Sequence, residues 1–466
     1  MKRTSQSMLD TPVSRRSFTK SLAAGLTGAF ATGFGVRAAL AAPGDGNPFS
    51  AQAEWAQNYD SDAKLSIPRS TTPLLSPQTW SATEQAIQRY RQLAANGGWN
   101  TVPAGQTLKV GVRGNGVVAL RRRLIVTGDL TEQAGGSQVF DSYVEAAVRR
   151  FQVRHGITPT GVVSKETFTA LNVPVSERVR QLEINLVRLK SFSGNLGDRH
   201  VTMNIPAAAV ETVENGQIVT HHIAGVGKID RQSPVMQARA LDINFNPFWT
   251  VPASIIRKDL IPKMQKDPNY LTDNKIRIIT KTGQEIQPSQ VNWNSMEATN
   301  YMFRQDPGGD VNSLGFVRIN IANPHGVYMH DTPSKGIFGD DYRFVSSGCV
   351  RVQNVRDFVA WLLKGSGDGS WNRDKIDEVI RSGQRVDAKI TSPVNVYWVY
   401  VSAWADNDIV HFREDIYRRD GFPGGAVAAN NSAQPIQPVG ASPDDDMLPP
   451  AGRPSRPPAP VGNNFR

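Results

Sequence analysis

Val327-Tyr328-Met329-His330-Asp331-Thr332-Pro333 alternates apolar and polar side chains until the proline stops it. A period of two marks a strand with one buried face. It puts Val327 and Met329 on the core side and Tyr328 with His330 on the other. Nineteen residues after His330 stands the chain's one cysteine, in Ser346-Ser347-Gly348-Cys349-Val350-Arg351. Gly348 permits a tight turn, so that the thiol and the amides of Ser347, Gly348 and Cys349 can face one point. A thiol nucleophile needs a base, and adjacent amides aimed at one point stabilise a developing oxyanion. The loop 334–344 is long enough to bring Cys349 back to His330.

The same period recurs on both sides. Val201-Met203-Ile205 alternate with polar neighbours, as do Val317-Ile319-Ile321 against Arg318 and Asn320. Further strands are read at 217–224, 240–245 and 275–281, with Asn215-Gly216 and Thr282-Gly283 as turns. These predict an α+β chain whose main domain, 199–390, is a mostly antiparallel, sandwich-like β domain. Upstream the period becomes 3.6. Residues 82–96 read as a helix closed by Gly97-Gly98, within a scaffold segment 76–107. In 108–173, Val117, Leu120 and Leu124 form one apolar stripe and Phe168 with Leu171 another. Between them Ser142…Glu145 reads as a capping box opening a helix that repeats Tyr143, Ala147 and Phe151. This predicts a small three-helix domain. Ser176 reads as the N-cap of a connecting helix in 174–198, and 391–421 as a second scaffold segment with a strand at 394–402.

The ends are different. Residues 1–41 carry +5 of the chain's net +10, leaving +5 on the other 425 residues, too little for a nucleic-acid-binding face. Arg15-Arg16-Ser17-Phe18 precedes a short apolar run and Ala39-Leu40-Ala41, so this end resembles a twin-arginine export signal that is removed, leaving no stable membrane span. Residues 42–75 read as a linker. Ten of the thirty prolines lie from Pro423 onward, and 422–466 is expected to be a disordered tail. One cysteine excludes an intramolecular disulfide. No cluster has metal-ligand spacing, so no metal or other cofactor is expected.

His330-Asp331-Thr332-Pro333…Phe338…Arg343…Ser346-Ser347-Gly348-Cys349-Val350-Arg351 resembles the signature of L,D-transpeptidases with a YkuD-type catalytic domain. Asn246-Pro247-Phe248-Trp249 and Arg304-Gln305-Asp306-Pro307-Gly308 resemble that family's longer, Gram-negative branch. Gly111…Gly114-Asn115-Gly116, Ala147-Val148…Phe151-Gln152 and His155-Gly156 resemble the bacterial peptidoglycan-binding domain. Together the likeness covers roughly 80–420. One departure is Ser347, where the family usually has histidine.

The resemblance implies a periplasmic, wall-associated enzyme acting on peptidoglycan stem peptides. Cys349 would be the nucleophile and His330 the base, paired as thiolate and imidazolium, with the Asp331 carbonyl orienting the imidazole. The amides of Ser347, Gly348 and Cys349 would hold the oxyanion. Arg351, Arg343, Tyr328 and Trp249 would contact substrate. The implied reaction is 3→3 cross-linking through a Cys349 thioester with release of D-Ala. Water as acceptor (an L,D-carboxypeptidase), a lysine of an outer-membrane protein, and a silent wall-binding protein marked by Ser347 remain the alternatives.

Overall fold

The computed structural model describes residues 70–421, apart from Gly135 and Ser193. The expected signal, most of the expected linker and the Pro-rich tail lie outside the described residues.

Three helices, α2 (Asn115–Val126), α3 (Ser142–Arg154) and α4 (Lys165–Leu171), close around Leu120, Leu124, Phe140, Ala147, Phe151 and Leu171. The cap of α3 differs from expectation. Asp141, not Ser142, caps it, accepting from Val144 N at 3.1 Å while also binding Arg121. A carboxylate caps the helix and also forms an ion pair with Arg121, which a neutral hydroxyl could not. The inward stripe is Val144, Ala147, Val148 and Phe151, and Tyr143 points to solvent. Helix α1 (Pro77–Ala95) packs on α5 (Val175–Lys190) and on the hairpin of β14 (Ala403–Asp406) and β15 (Ile409–Phe412). Helix α5 begins at Val175, after Pro174, rather than from a Ser176 cap. Residues 70–75, read as linker, dock instead: Leu74 and Leu75 are buried, and Leu74 N donates to Glu211.

The main domain is a barrel rather than a sandwich. Its strands are β1 (Arg199–Asn204), β2 (Ala209–Glu214), β3 (Gln217–Gly227), β4 (Met236–Phe245), β9 (Val317–Ile321), β10 (Met329–His330), β12 (Val350–Val352) and β13 (Val386–Val399). They run β3-β12-β10-β9-β4-β13-β1-β2, and β2 pairs back onto β3. Closure follows from the length of β3, which pairs with β2 along its first part and with β12 beyond it. A closed ring leaves no edge strand to protect. Within it only β1–β13 and β10–β12 run parallel, so the mostly antiparallel reading holds. Strand β13 crosses the expected boundary at 390, because its 386–389 and 394–398 stretches both pair with β4 around a bulge. Short β11 (Phe344–Ser346) adds to β3 in parallel.

Inward residues such as Met203, Ile243, Phe245, Ile319, Met329, Val350 and Trp398 fill the barrel core with the helices Val355–Leu362 and Arg373–Ser382. Between β4 and β9 the chain leaves the barrel for an insert of four strands, β5 (Trp249–Thr250), β6 (Ile276–Ile279), β7 (Glu285–Ile286) and β8 (Met302–Gln305). The insert has its own core of Ile256, Leu260, Leu271, Ile278 and Phe303.

Candidate active site

Register decides what meets what. In β10, Met329 is fully buried in the core, so its neighbours Tyr328 and His330 face outward. His330 pairs with Arg351 of β12 on one side and with Arg318 of β9 on the other. Val350, opposite Met329, is also buried, so Cys349 and Arg351 share the outward face. Val350 N bonds Tyr328 O at 3.0 Å, which sets Cys349 beside Tyr328, one step from His330. Adjacent strands lie about 4.8 Å apart with a rise of about 3.3 Å per residue. The Cys349 and His330 Cα atoms are therefore on the order of 8 Å apart, within reach of a thiol and an imidazole directed at each other.

The imidazole is held from behind. His330 Nδ1 donates to Asp331 O at 2.5 Å. A carbonyl only accepts, so the proton sits on Nδ1 and Nε2 is left as the basic nitrogen. Asp331 is itself fixed: its N donates to Val317 O (2.9 Å), and its carboxylate accepts from Phe316 N (3.0 Å) and pairs with Lys335.

The cysteine turn is pinned by hydroxyls. Ser346 Oγ donates to Cys349 O (2.6 Å), and Ser233 Oγ donates to Gly348 O (2.8 Å). Gly348 has φ +116°, a conformation that favours glycine. Its N–H donates to Ser346 Oγ at 3.1 Å and is engaged there, so it departs from the expected oxyanion set. The nearby loop after β3 comes close because Gly227 has no side chain; a Cβ there would stand 2.3 Å from Arg231 O. Arg231 in turn pairs with Asp259 of the insert at 2.5 Å, and Tyr328 packs against the insert's core. The thiol and imidazole thus sit where barrel and insert meet.

The electrostatics weigh against the expected ion pair. Burial lowers His330 to about 3, with Arg351 next in effect; the bond to the Asp331 carbonyl opposes this, and Arg318 and Lys335 add to it. Burial also pushes the Cys349 thiol up, while bonds from Tyr328 and the charges of Arg318 and Arg351 pull it down. Burial and the three cations favour the neutral imidazole, and burial favours the neutral thiol while the cations oppose it.

Two other expectations change. Arg343 donates to the carbonyls of Asp340 (2.7 Å) and Ala207 (3.1 Å), tying loop to barrel. Trp249 is buried in the insert's core rather than set in the cleft. Arg351 and Tyr328 do stand beside Cys349. Arg318 was read only as the polar partner of a strand; alternation turned it outward, but nothing local in sequence placed it beside His330. His155, outside this site, caps α3 and stacks on Phe151 at 3.8 Å.

Residues 198–380 match the family model described as "L,D-transpeptidase catalytic domain", and residues 113–171 match "Putative peptidoglycan binding domain". A Haemophilus influenzae protein named "Putative L,D-transpeptidase" is 30% identical over 253 residues, covering 53% of this chain. The chain spans half the length of that relative (50%). An L,D-transpeptidase from Mycobacterium smegmatis overlaps 43% of this chain and 58% of its own at 16% identity and TM-score 0.22. One from Stackebrandtia nassauensis overlaps 64% and 96% at 13% identity and TM-score 0.24. Such TM-scores carry no weight beside the two domain matches. The two family matches thus cover the barrel segment that holds Cys349 and His330 and the three-helix unit before it.

Proposed function

We propose that this protein is an exported, periplasmic L,D-transpeptidase that forms 3→3 cross-links in peptidoglycan. The observation that supports it most is the alignment of Cys349 with an imidazole whose Nδ1 is locked on the Asp331 carbonyl, inside the segment that matches the catalytic domain.

In this reading His330 Nε2 takes the Cys349 proton as the sulfur attacks the carbonyl that joins the L-centre of a diamino acid to terminal D-Ala. General-base transfer during attack suits a pair that is neutral at rest. The amides of Ser347 and Cys349 stabilise the oxyanion, since that of Gly348 is engaged. The imidazolium returns its proton to the departing D-Ala amine, and a thioester remains on Cys349. The side-chain amine of a second stem then attacks, His330 accepts its proton, and the thiolate leaves and is reprotonated. Arg351 holds a substrate carboxylate. Ser347 is compatible with this scheme because its position supplies backbone and the base lies elsewhere.

The test is the protein with disaccharide-tetrapeptide, products read by mass spectrometry, beside Cys349→Ala. A cysteine-dependent 3→3 dimer with released D-Ala is expected. Tripeptide alone would move the activity to carboxypeptidase or to a protein lysine as acceptor. No cysteine-dependent product would leave a wall-binding protein.

A further inference from the structure

We infer that Arg318 and Arg351 form a two-armed anion site flanking His330, which takes carboxylate groups of the donor peptide and makes Arg318 a residue that selects free-acid donors over amidated ones. The inference rests on the proposed transpeptidase reading for the identity of the ligand, and on geometry for the site itself.

The three side chains lie in one row across three neighbouring strands: Arg318 on β9, His330 on β10, Arg351 on β12. Their in-strand neighbours Ile319, Met329 and Val350 are all buried in the barrel, so the row faces outward beside Cys349. Arg318 lies over the Tyr328 ring, 4.4 Å from its centre, which turns the guanidinium toward the thiol side of the imidazole. On the other side Arg351 stands opposite Gly225 of β3, and a Cβ at Gly225 would lie 3.5 Å from Arg351 Cβ and 3.0 Å from Ile337 Cδ1. The glycine makes room for Ile337 and lets Arg351 pass at ordinary contact distance.

Arg351 is the unusual member. Its side chain is half-buried, no carboxylate among the described residues pairs with it, and its Nε is buried without a hydrogen-bond partner. A partly desolvated cation left alone gains from an anion that joins it. The carboxylate that follows His330 in the chain, Asp331, is already engaged by Lys335 and Phe316 N. An anion from outside therefore completes the site. The proposed donor carries a terminal carboxylate one residue past the scissile carbonyl, and a dicarboxylic diamino acid adds a second. Two guanidiniums on either side of the attacking machinery match two carboxylates on either side of the attacked bond. Occupancy also offsets the positive field at His330, so the base strengthens when a free-acid donor is bound.

The experiment compares donor tetrapeptide as free acid with the same peptide amidated at its carboxylates. Wild type is expected to favour the free acid at least tenfold in kcat/KM. Arg318→Gln should bring that ratio close to one, chiefly through KM, and Arg318→Lys should recover part of it. Equal loss on both donors with no recovery by lysine would overturn the inference, since a structural arginine behaves that way. Binding to the Cys349→Ala protein by calorimetry separates the two readings. Free-acid binding that weakens tenfold in the Arg318→Gln and Arg351→Gln backgrounds supports the anion site even where no turnover is seen. Binding indifferent to both arginines overturns it even where cross-linking proceeds.

Discussion

Two regions of this molecule bury arginines, and they treat them differently. Where the three-helix domain meets the scaffold, the guanidiniums are answered within the chain. Arg154 forms a paired contact with Asp129 (2.8 and 2.5 Å), both side chains under a tenth exposed. Arg188 meets Asp420 at 2.5 Å, and Arg123 donates to Leu171 O while lying 3.7 Å over the Trp99 ring. On the outer face of the barrel, Arg351 is half-buried and its Nε, which is buried, has no such answer. The same residue type is a structural joint in one place and an open valence in the other. What separates them is above all the partner.

That contrast is most exposed to a test of stability. Asp129→Ala leaves Arg154 buried and unpaired, and should cost about 3–5 kcal/mol of folding free energy, read by denaturant unfolding. Arg351→Met removes a charge that has no partner, so folding should be unchanged or improved by about 1 kcal/mol. Its transfer rate should nevertheless fall about 100-fold, the effect of losing a charged contact worth close to 3 kcal/mol. A loss of stability in Arg351→Met comparable to that in Asp129→Ala would erase the distinction.

How far sequence reading reached follows the same line between local and non-local information. Cys349 and His330 were legible because both sit in short motifs whose residue types are tied to the chemistry, and alternation in 327–330 already turned His330 outward. Arg318 was visible as an outward residue of its strand, but which residue it faces depends on the register between β9 and β10. No pattern within either strand encodes that register. Barrel closure was hidden for a related reason: it needs one strand to serve two neighbours along its length, and β11 and β12 have only three residues each. The helix Val355–Leu362 was readable and was missed. Val355, Phe358, Val359 and Leu362 recur at helical spacing and are all buried.

A smaller effect sharpens the picture inside the site. With one cysteine in the chain, thiolate absorbance near 240 nm reports Cys349 alone. Burial should make it titrate above an ordinary thiol's value of about 8.5. Arg351→Met removes a nearby positive charge, which disfavours the thiolate and should push the midpoint higher still. The same change relieves like-charge repulsion at His330 and should raise its midpoint from about 3. Midpoints that do not move would mean that Arg351 points away from both groups.

The smallest expected effect lies at a contact that belongs to neither class. Asp341 Oδ1 accepts from Thr158 N (2.7 Å) and Thr158 Oγ1 (2.5 Å), joining the turn after α3 to the loop that leads into β11 and the cysteine turn. The bonds are short, but both groups are exposed, and water competes for each of them. Asp341→Ala should therefore cost less than about 1 kcal/mol and change transfer less than threefold. Position in the chain argues the other way, since Asp341 stands only eight residues before Cys349. A tenfold fall in transfer with unfolding unchanged would show that the wall-binding module steers the thiol through this joint. Partnership and burial would then not be enough to tell a structural contact from a functional one.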